Sequence, residues 1–128
     1  MPHIMIEYSG NLAAVDWPQV LQALHSAAAE MPELPLSGLR TRARACDHVL
    51  IADGSPRNAF VHVVLRMGHG RADEAKQRIG DRLFGTLCDS LKHLFDERPV
   101  SVSFEIQEIH PVFNFRKSNL AAHMQKVA

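Results

Sequence analysis

The sequence predicts an α+β fold, a tandem βαβ–βαβ chain that builds one four-stranded mixed sheet with two helices on one face. Short stretches at 3–8, 58–67 and 100–108 have the length and the apolar, β-branched or alternating character of strands. Two longer stretches, 16–30 and 73–95, repeat apolar residues at helical spacing. The order strand, helix, strand occurs twice, giving pseudo-repeats at about 1–54 and 57–110 and a tail at 111–128. At 128 residues the chain has the size of one domain, 1–128.

HIMIEY (3–8) opens the first unit as a strand. SGNLAAVD follows with turn residues and ends on Asp16, an N-cap candidate, with Pro18 suited to a first helical turn. Trp17, Val20, Leu21, Leu24 and Ala28 then mark an amphipathic helix over 16–30. MPELPLSG stops it, since two prolines and a glycine cannot continue a helix. Over 39–51 the side chains alternate, with Leu39, Thr41, Ala43 and Ala45 on one face and Arg40, Arg42 and Arg44 on the other. That pattern predicts a strand with a small apolar face and a cationic one.

ADGSPRN is a turn, and the second unit starts with the strand 58–67. After GHG and Arg71, the residues Ala75, Ile79, Leu83, Leu87, Leu91 and Leu94 form the stripe of a helix over 73–95 that Pro99 ends. VSVSFEIQE (100–108) alternates as the last strand, and the tail carries Phe113 and Phe115 and is expected to close in a short helix. PLSGLR (35–40) and PVSVSF (99–104) share Pro, an apolar residue and Ser in register, which aligns Phe104 with Arg40. Each βαβ unit has parallel strands and a right-handed crossover, so both helices fall on one sheet face. The other face is left for another subunit to cover.

Fourteen basic residues balance fourteen acidic ones, so no global field favours nucleic acid or an anionic membrane. The opening MPHIMIEYSG lacks the basic lead and long apolar core of a signal peptide, and no apolar run reaches the roughly 20 residues of a membrane helix. Cys46 and Cys88 form no CxxC, which fits reduced thiols and a cytoplasmic protein. Among eight histidines there is no HxH or HExxH, so no metal site is expected. Gly68–His69–Gly70 lacks the rest of a phosphate-loop pattern.

Four blocks carry a specific likeness. The strand that starts with Pro2 directly after Met1 resembles the opening of the tautomerase superfamily, in which removal of Met leaves an N-terminal proline. GRADEAK (70–76) is similar to the Gly-Arg-Ser-x-Glu-x-Lys segment of its 4-oxalocrotonate tautomerases, which are single βαβ units. PHIMIEYS, PLSGLRTRA, ADGSPRNAFVHVVLRMGHGR and SFEIQEIHPVFNF together resemble the fused branch, the 5-carboxymethyl-2-hydroxymuconate isomerase family, over nearly the whole chain. The resemblance implies a homotrimer with sites at subunit edges, a small-molecule carboxylate substrate, and a place in homoprotocatechuate degradation.

It also implies a site. Pro2 becomes the base, because a secondary amine whose basicity is lowered by burial and neighbouring cations can move protons near neutral pH. Arg40 and Arg71 become catalytic and substrate-binding partners, since planar, permanently charged forks fit carboxylates and stabilise a developing dienolate. Arg42, on the face of Arg40, and Phe60 are further substrate-binding candidates. For Arg42 and Arg44 a salt-bridged strip at a subunit contact is the better reading, and Phe60 and Phe104, candidate pocket walls, fit core packing better. The expected activity is a cofactor-independent proton and double-bond shift in an unsaturated 2-hydroxy/2-oxo di- or tricarboxylic acid. Two alternatives stand beside it: another activity of the superfamily, such as phenylpyruvate-type tautomerisation or a hydratase/dehalogenase reaction, and a non-catalytic trimeric binding protein.

Overall fold

A computed structural model describes residues 1–124. The strands are β1 (His3–Ser9), β2 (Arg40–Cys46), β3 (Ala59–Met67) and β4 (Val100–Glu108). The helices are α1 (Trp17–Ala29), α2 (Asp73–Glu97) and the short α3 (Leu120–His123). The expected tail helix is therefore present as α3, and the last part of the tail, 125–128, lies outside the described residues.

One sheet runs in the order β2-β1-β3-β4. The pairs β1/β2 and β3/β4 are parallel, and β1/β3 is antiparallel, which makes the sheet mixed as expected. Ile4 and Ile6 of β1 and Val61, Val63, Leu65 and Met67 of β3 are buried with Leu24 of α1 and with Ile79, Leu83, Leu87, Leu91 and Leu94 of α2 in a single core. Those five α2 residues recur at a spacing of three to four and form the expected stripe; Ala75, one turn before it, is only half-buried. The carboxylate of Asp16 accepts the amide N–H of Gln19 at 3.2 Å and caps α1.

Two expectations need correcting. The strand read over 39–51 ends at Cys46, because Cys46 pairs with Ser9 and β1 stops there, leaving the next residues no ladder to extend. The alignment of Phe104 with Arg40 fails on parity. Phe104 pairs with Val63 and packs against the core, whereas Arg40 pairs with His3, whose neighbour Ile4 faces the core. A short 3-10 turn at Leu36–Gly38 precedes β2, while β4 starts directly after Pro99, so similar letters enter the two strands by different backbones.

The sheet face away from the helices carries His3, Met5, Glu7, Arg42, Arg44, Phe60, His62, Val64, Arg66, Ser103 and Glu105 by register. It is stitched by polar pairs: Arg44 to Glu7 at 3.1 Å, Arg42 to the His3 ring at 3.0 Å, and His62 to Ser103 at 2.6 Å.

Candidate active site

Strand direction decides which chain segments meet. β1 and β2 start at one end of the sheet, and because β3 is antiparallel to β1 and parallel to β4, the exits of β3 and β4 lie at that same end. Pro2, Arg40, the loop 68–71 and the tail after Glu108 are thereby gathered, although they are far apart in sequence.

Pro2 is buried. Its carbonyl oxygen accepts the amide N–H of Arg40 at 3.0 Å. Gly38 lies so close that a Cβ there would sit 3.1 Å from Pro2 Cδ, which explains a glycine at the entry to β2. Gly70, with a φ of 91°, turns the chain just before Arg71 in a conformation L side chains rarely adopt.

Two clefts flank the N-terminus. One, of about 430 Å³, is lined by Met1, Pro2, Glu33, His69, Arg71, His110, Asn114 and Arg116 among others. The second, of about 520 Å³, is lined by Met1, Pro2, Ser37, Gly38, Arg116, Lys117 and Ser118 among others. A larger groove of about 770 Å³ runs elsewhere, between α2 and β4, past Asp73, Lys76, Asp81 and Glu105. Its excess of carboxylates makes it a poor host for an anionic ligand.

Of the sequence-derived candidates, Pro2 and Arg71 line one cleft together. Arg71 donates from Nη2 to the main-chain oxygen of Glu33 at 3.2 Å, which tethers its guanidinium. Arg40 sits beside Pro2 but turns its guanidinium back onto the carbonyl oxygens of Gly38, at 2.5 Å, and Ser37, at 3.4 Å. It acts on the N-terminus through charge. The free amine here belongs to Met1, and burial first, then the guanidiniums of Arg116 and Arg40, hold it below its ordinary value.

Arg42 and Phe60 stand apart from this group. Arg42 is on the open face against His3, and burial followed by the charge of Arg42 holds the His3 ring below its ordinary value. Phe60 pairs with Ser101 near the start of β3, at the opposite end of the sheet from Pro2, so within one chain it does not line the Pro2 clefts. Nor is it a core residue, since Ala59 and Val61 on either side of it are the ones that face the helices.

Glu33, Arg116, His110 and Asn114 escaped the sequence reading. Glu33 Oε2 takes a 2.8 Å ion pair from Arg78, and that hydrogen bond holds its carboxyl below the usual range. Its Oε1 is buried without a hydrogen-bond partner among the described residues. The one available hint was a tail whose residues 109–124 hold Arg116 and Lys117 but no Asp or Glu. Among the described residues, no group of three or more His, Cys, Asp or Glu side chains is placed to hold a metal ion. Burial pushes the Cys88 thiol up, away from the reactive thiolate.

The family model for 5-carboxymethyl-2-hydroxymuconate isomerase matches residues 2–124. The chain belongs to this family. It is an isomerase. The isomerase is 35% identical over 123 residues to the 5-carboxymethyl-2-hydroxymuconate Delta-isomerase of Escherichia coli, covering 95% of this chain and 98% of that one. A crystal structure of a 5-carboxymethyl-2-hydroxymuconate isomerase from Deinococcus radiodurans R1 superposes with a TM-score of 0.91 at 36% identity, covering 98% of this chain and 95% of that chain. At the level of fold alone, a fused 4-OT wild type symmetric trimer matches with a TM-score of 0.54 at 20% identity, covering 83% of this chain and 85% of that one. No helix among the described residues is long and apolar enough to cross a membrane.

Proposed function

We propose that the isomerase, once Met1 is removed, acts on 5-carboxymethyl-2-hydroxymuconate with the Pro2 nitrogen as its base. The observation that carries this reading is the meeting of the N-terminus and Arg71 in one cleft, with the charges of Arg40 and Arg116 bearing on the amine. While Met1 is attached, the Pro2 nitrogen is a tertiary amide and cannot take a proton. Trimming turns it into a secondary amine in surroundings that already depress an amine's basicity.

The amine takes the proton of the 2-hydroxyl group. The carbonyl forms at C2, the double bond moves to C3–C4, and the proton is returned to C5, so no atom is gained or lost. Negative charge on the dienolate is offset by guanidiniums already in place, the preorganised arrangement that lowers such barriers. Arg71 holds a carboxylate, and Arg40 contributes its field.

We also propose that the working form is a cytoplasmic homotrimer serving homoprotocatechuate degradation. Phe113 and Phe115 are 73% and 89% exposed in the single chain, an exposure that another subunit would relieve. Arg42 and Phe60 would then meet a neighbour, Arg42 in a polar strip with Arg44 and Phe60 as a wall of a neighbouring site.

The test is turnover by mass-verified, Met-trimmed protein on the tricarboxylate against phenylpyruvate. A kcat/KM that favours the tricarboxylate by at least ~10²-fold supports the reading. Equal or inverted preference rejects it.

A further inference from the structure

The two clefts beside the N-terminus share a wall, and Arg116 is the one charged side chain in it. Met1, Pro2, Pro35 and Arg116 line both spaces. Arg71 lies in one of them and Lys117 in the other. Removing Met1 deletes one member of the partition and opens both spaces to the Pro2 nitrogen.

Arg116 has no carboxylate partner among the described residues, in contrast to Arg44, Arg78 and Arg82, which are each ion-paired. The segment that carries it, 109–124, contains no Asp or Glu that could neutralise it locally. A guanidinium placed at the junction of two clefts, beside the reacting group and without an internal counter-ion, is suited to a carboxylate of the ligand. Its charge also reaches the N-terminal amine.

We propose that Arg116 binds one carboxylate of the substrate and makes the Pro2 site selective for a branched tricarboxylate over a linear dicarboxylate. The inference rests on the proposed function for its substrate. A linear acid needs only the Arg71 side. A branched acid puts its extra arm across the partition, against Arg116, with the second cleft as the room for it.

The experiment uses Met-trimmed protein, with Arg116→Ala and Arg116→Lys as variants. Steady-state kinetics are measured on 5-carboxymethyl-2-hydroxymuconate and on 2-hydroxymuconate, which lacks the carboxymethyl arm. Calorimetry is run in parallel with two inert probes, tricarballylate and glutarate. Arg116→Ala should raise KM for the tricarboxylate roughly 10–100-fold, the usual worth of hydrogen bonds to a charged group, with kcat changed far less. Any effect through the amine falls on both acids alike, so the ratio of KM for the tricarboxylate to KM for 2-hydroxymuconate should rise on that same scale, and Arg116→Lys should recover part of the change.

A loss of the same size on both acids, or on neither, overturns the proposal. If the parent protein fails to turn over either acid, the functional reading falls, but calorimetry still decides about Arg116. Preference for tricarballylate over glutarate that disappears in Arg116→Ala supports it, and an unchanged ratio rejects it. Circular dichroism of each variant separates misfolding from a lost contact, since a misfolded variant loses glutarate binding too.

Discussion

The amide nitrogen of Arg40 stands 3.0 Å from the carbonyl oxygen of Pro2, one rung beyond the β1–β2 ladder that begins at His3 and Arg40. The residue proposed as the base is thus held by main-chain sheet bonding. The same bond brings the Arg40 backbone beside it, and the carbonyl oxygens of Gly38 and Ser37 then hold the guanidinium.

Retention of Met1 should abolish activity, because it keeps the Pro2 nitrogen an amide and because Met1 lines both clefts beside it. Protein verified by mass spectrometry as Met1-bearing is expected to lose ~10²-fold or more in kcat, the usual worth of a positioned base, and Pro2→Ala in trimmed protein should lose on the same scale. Equal turnover by the two verified forms would remove Pro2 from the mechanism.

Arg40 should set the pH at which the base becomes available. A neighbouring cation disfavours the protonated amine, so the rising limb of kcat/KM against pH lies at lower pH with Arg40 than without it. Arg40→Ala should move that limb to higher pH, and Arg40→Lys, which keeps the charge, should largely restore it. A limb unmoved in Arg40→Ala would show that Arg40 acts only through binding.

Glu33 should contribute stability at neutral pH that is lost in acid. Its carboxyl is held below the usual range chiefly by the hydrogen bond from Arg78, so it is depressed in the folded state. The associated stability is fully present above the ordinary glutamate value, roughly 4.3, and is lost as pH falls through the lower folded value. The Glu33 side chain is 14% exposed but that of Arg78 is 54% exposed, which makes the effect modest. Thermal melts at pH 7 and pH 3 should show Glu33→Gln lowering Tm at pH 7 more than at pH 3. An equal drop at both would mean the carboxylate's charge is not what stabilises.

Sedimentation equilibrium of the purified protein at micromolar concentration should return three times the 14.3 kDa chain mass. Val64 is half-buried at the centre of the open face, next to Met5, and Val64→Asp there should shift the population toward single chains. A monomeric parent protein would leave the open face unexplained and the trimer reading wrong.

Periodicity in the sequence by itself determined the elements, their order and their faces. The α2 stripe is visible because burial against a sheet demands apolar residues every three to four positions, and the cationic face of β2 because side chains alternate along a strand. Strand ends were less legible: β2 stops at Cys46 because its partner β1 stops at Ser9, a fact about pairing rather than about residues 47–51. For the same reason Phe60 is read into the site, since a strand's face is read from alternation but its height in the sheet is set by register with its neighbours. Phe104 aligns with Arg40 only by similar letters, and pairing puts the two side chains on opposite faces.

Pro2 and Arg71, which line one cleft together, could be named from the sequence because each sits in a short block whose pattern is local. Glu33 and Arg116, which line the same cleft, could not, because a tail without Asp or Glu marks Arg116 as cationic but not as a neighbour of Pro2. The parallel and antiparallel pairings alone bring the exits of β3 and β4 to the start of β1, and so carry the tail of the chain to its first residues. Hydrophobic spacing is a property of neighbours along the chain, whereas a binding site is a property of neighbours in space, and only the folded sheet converts one into the other.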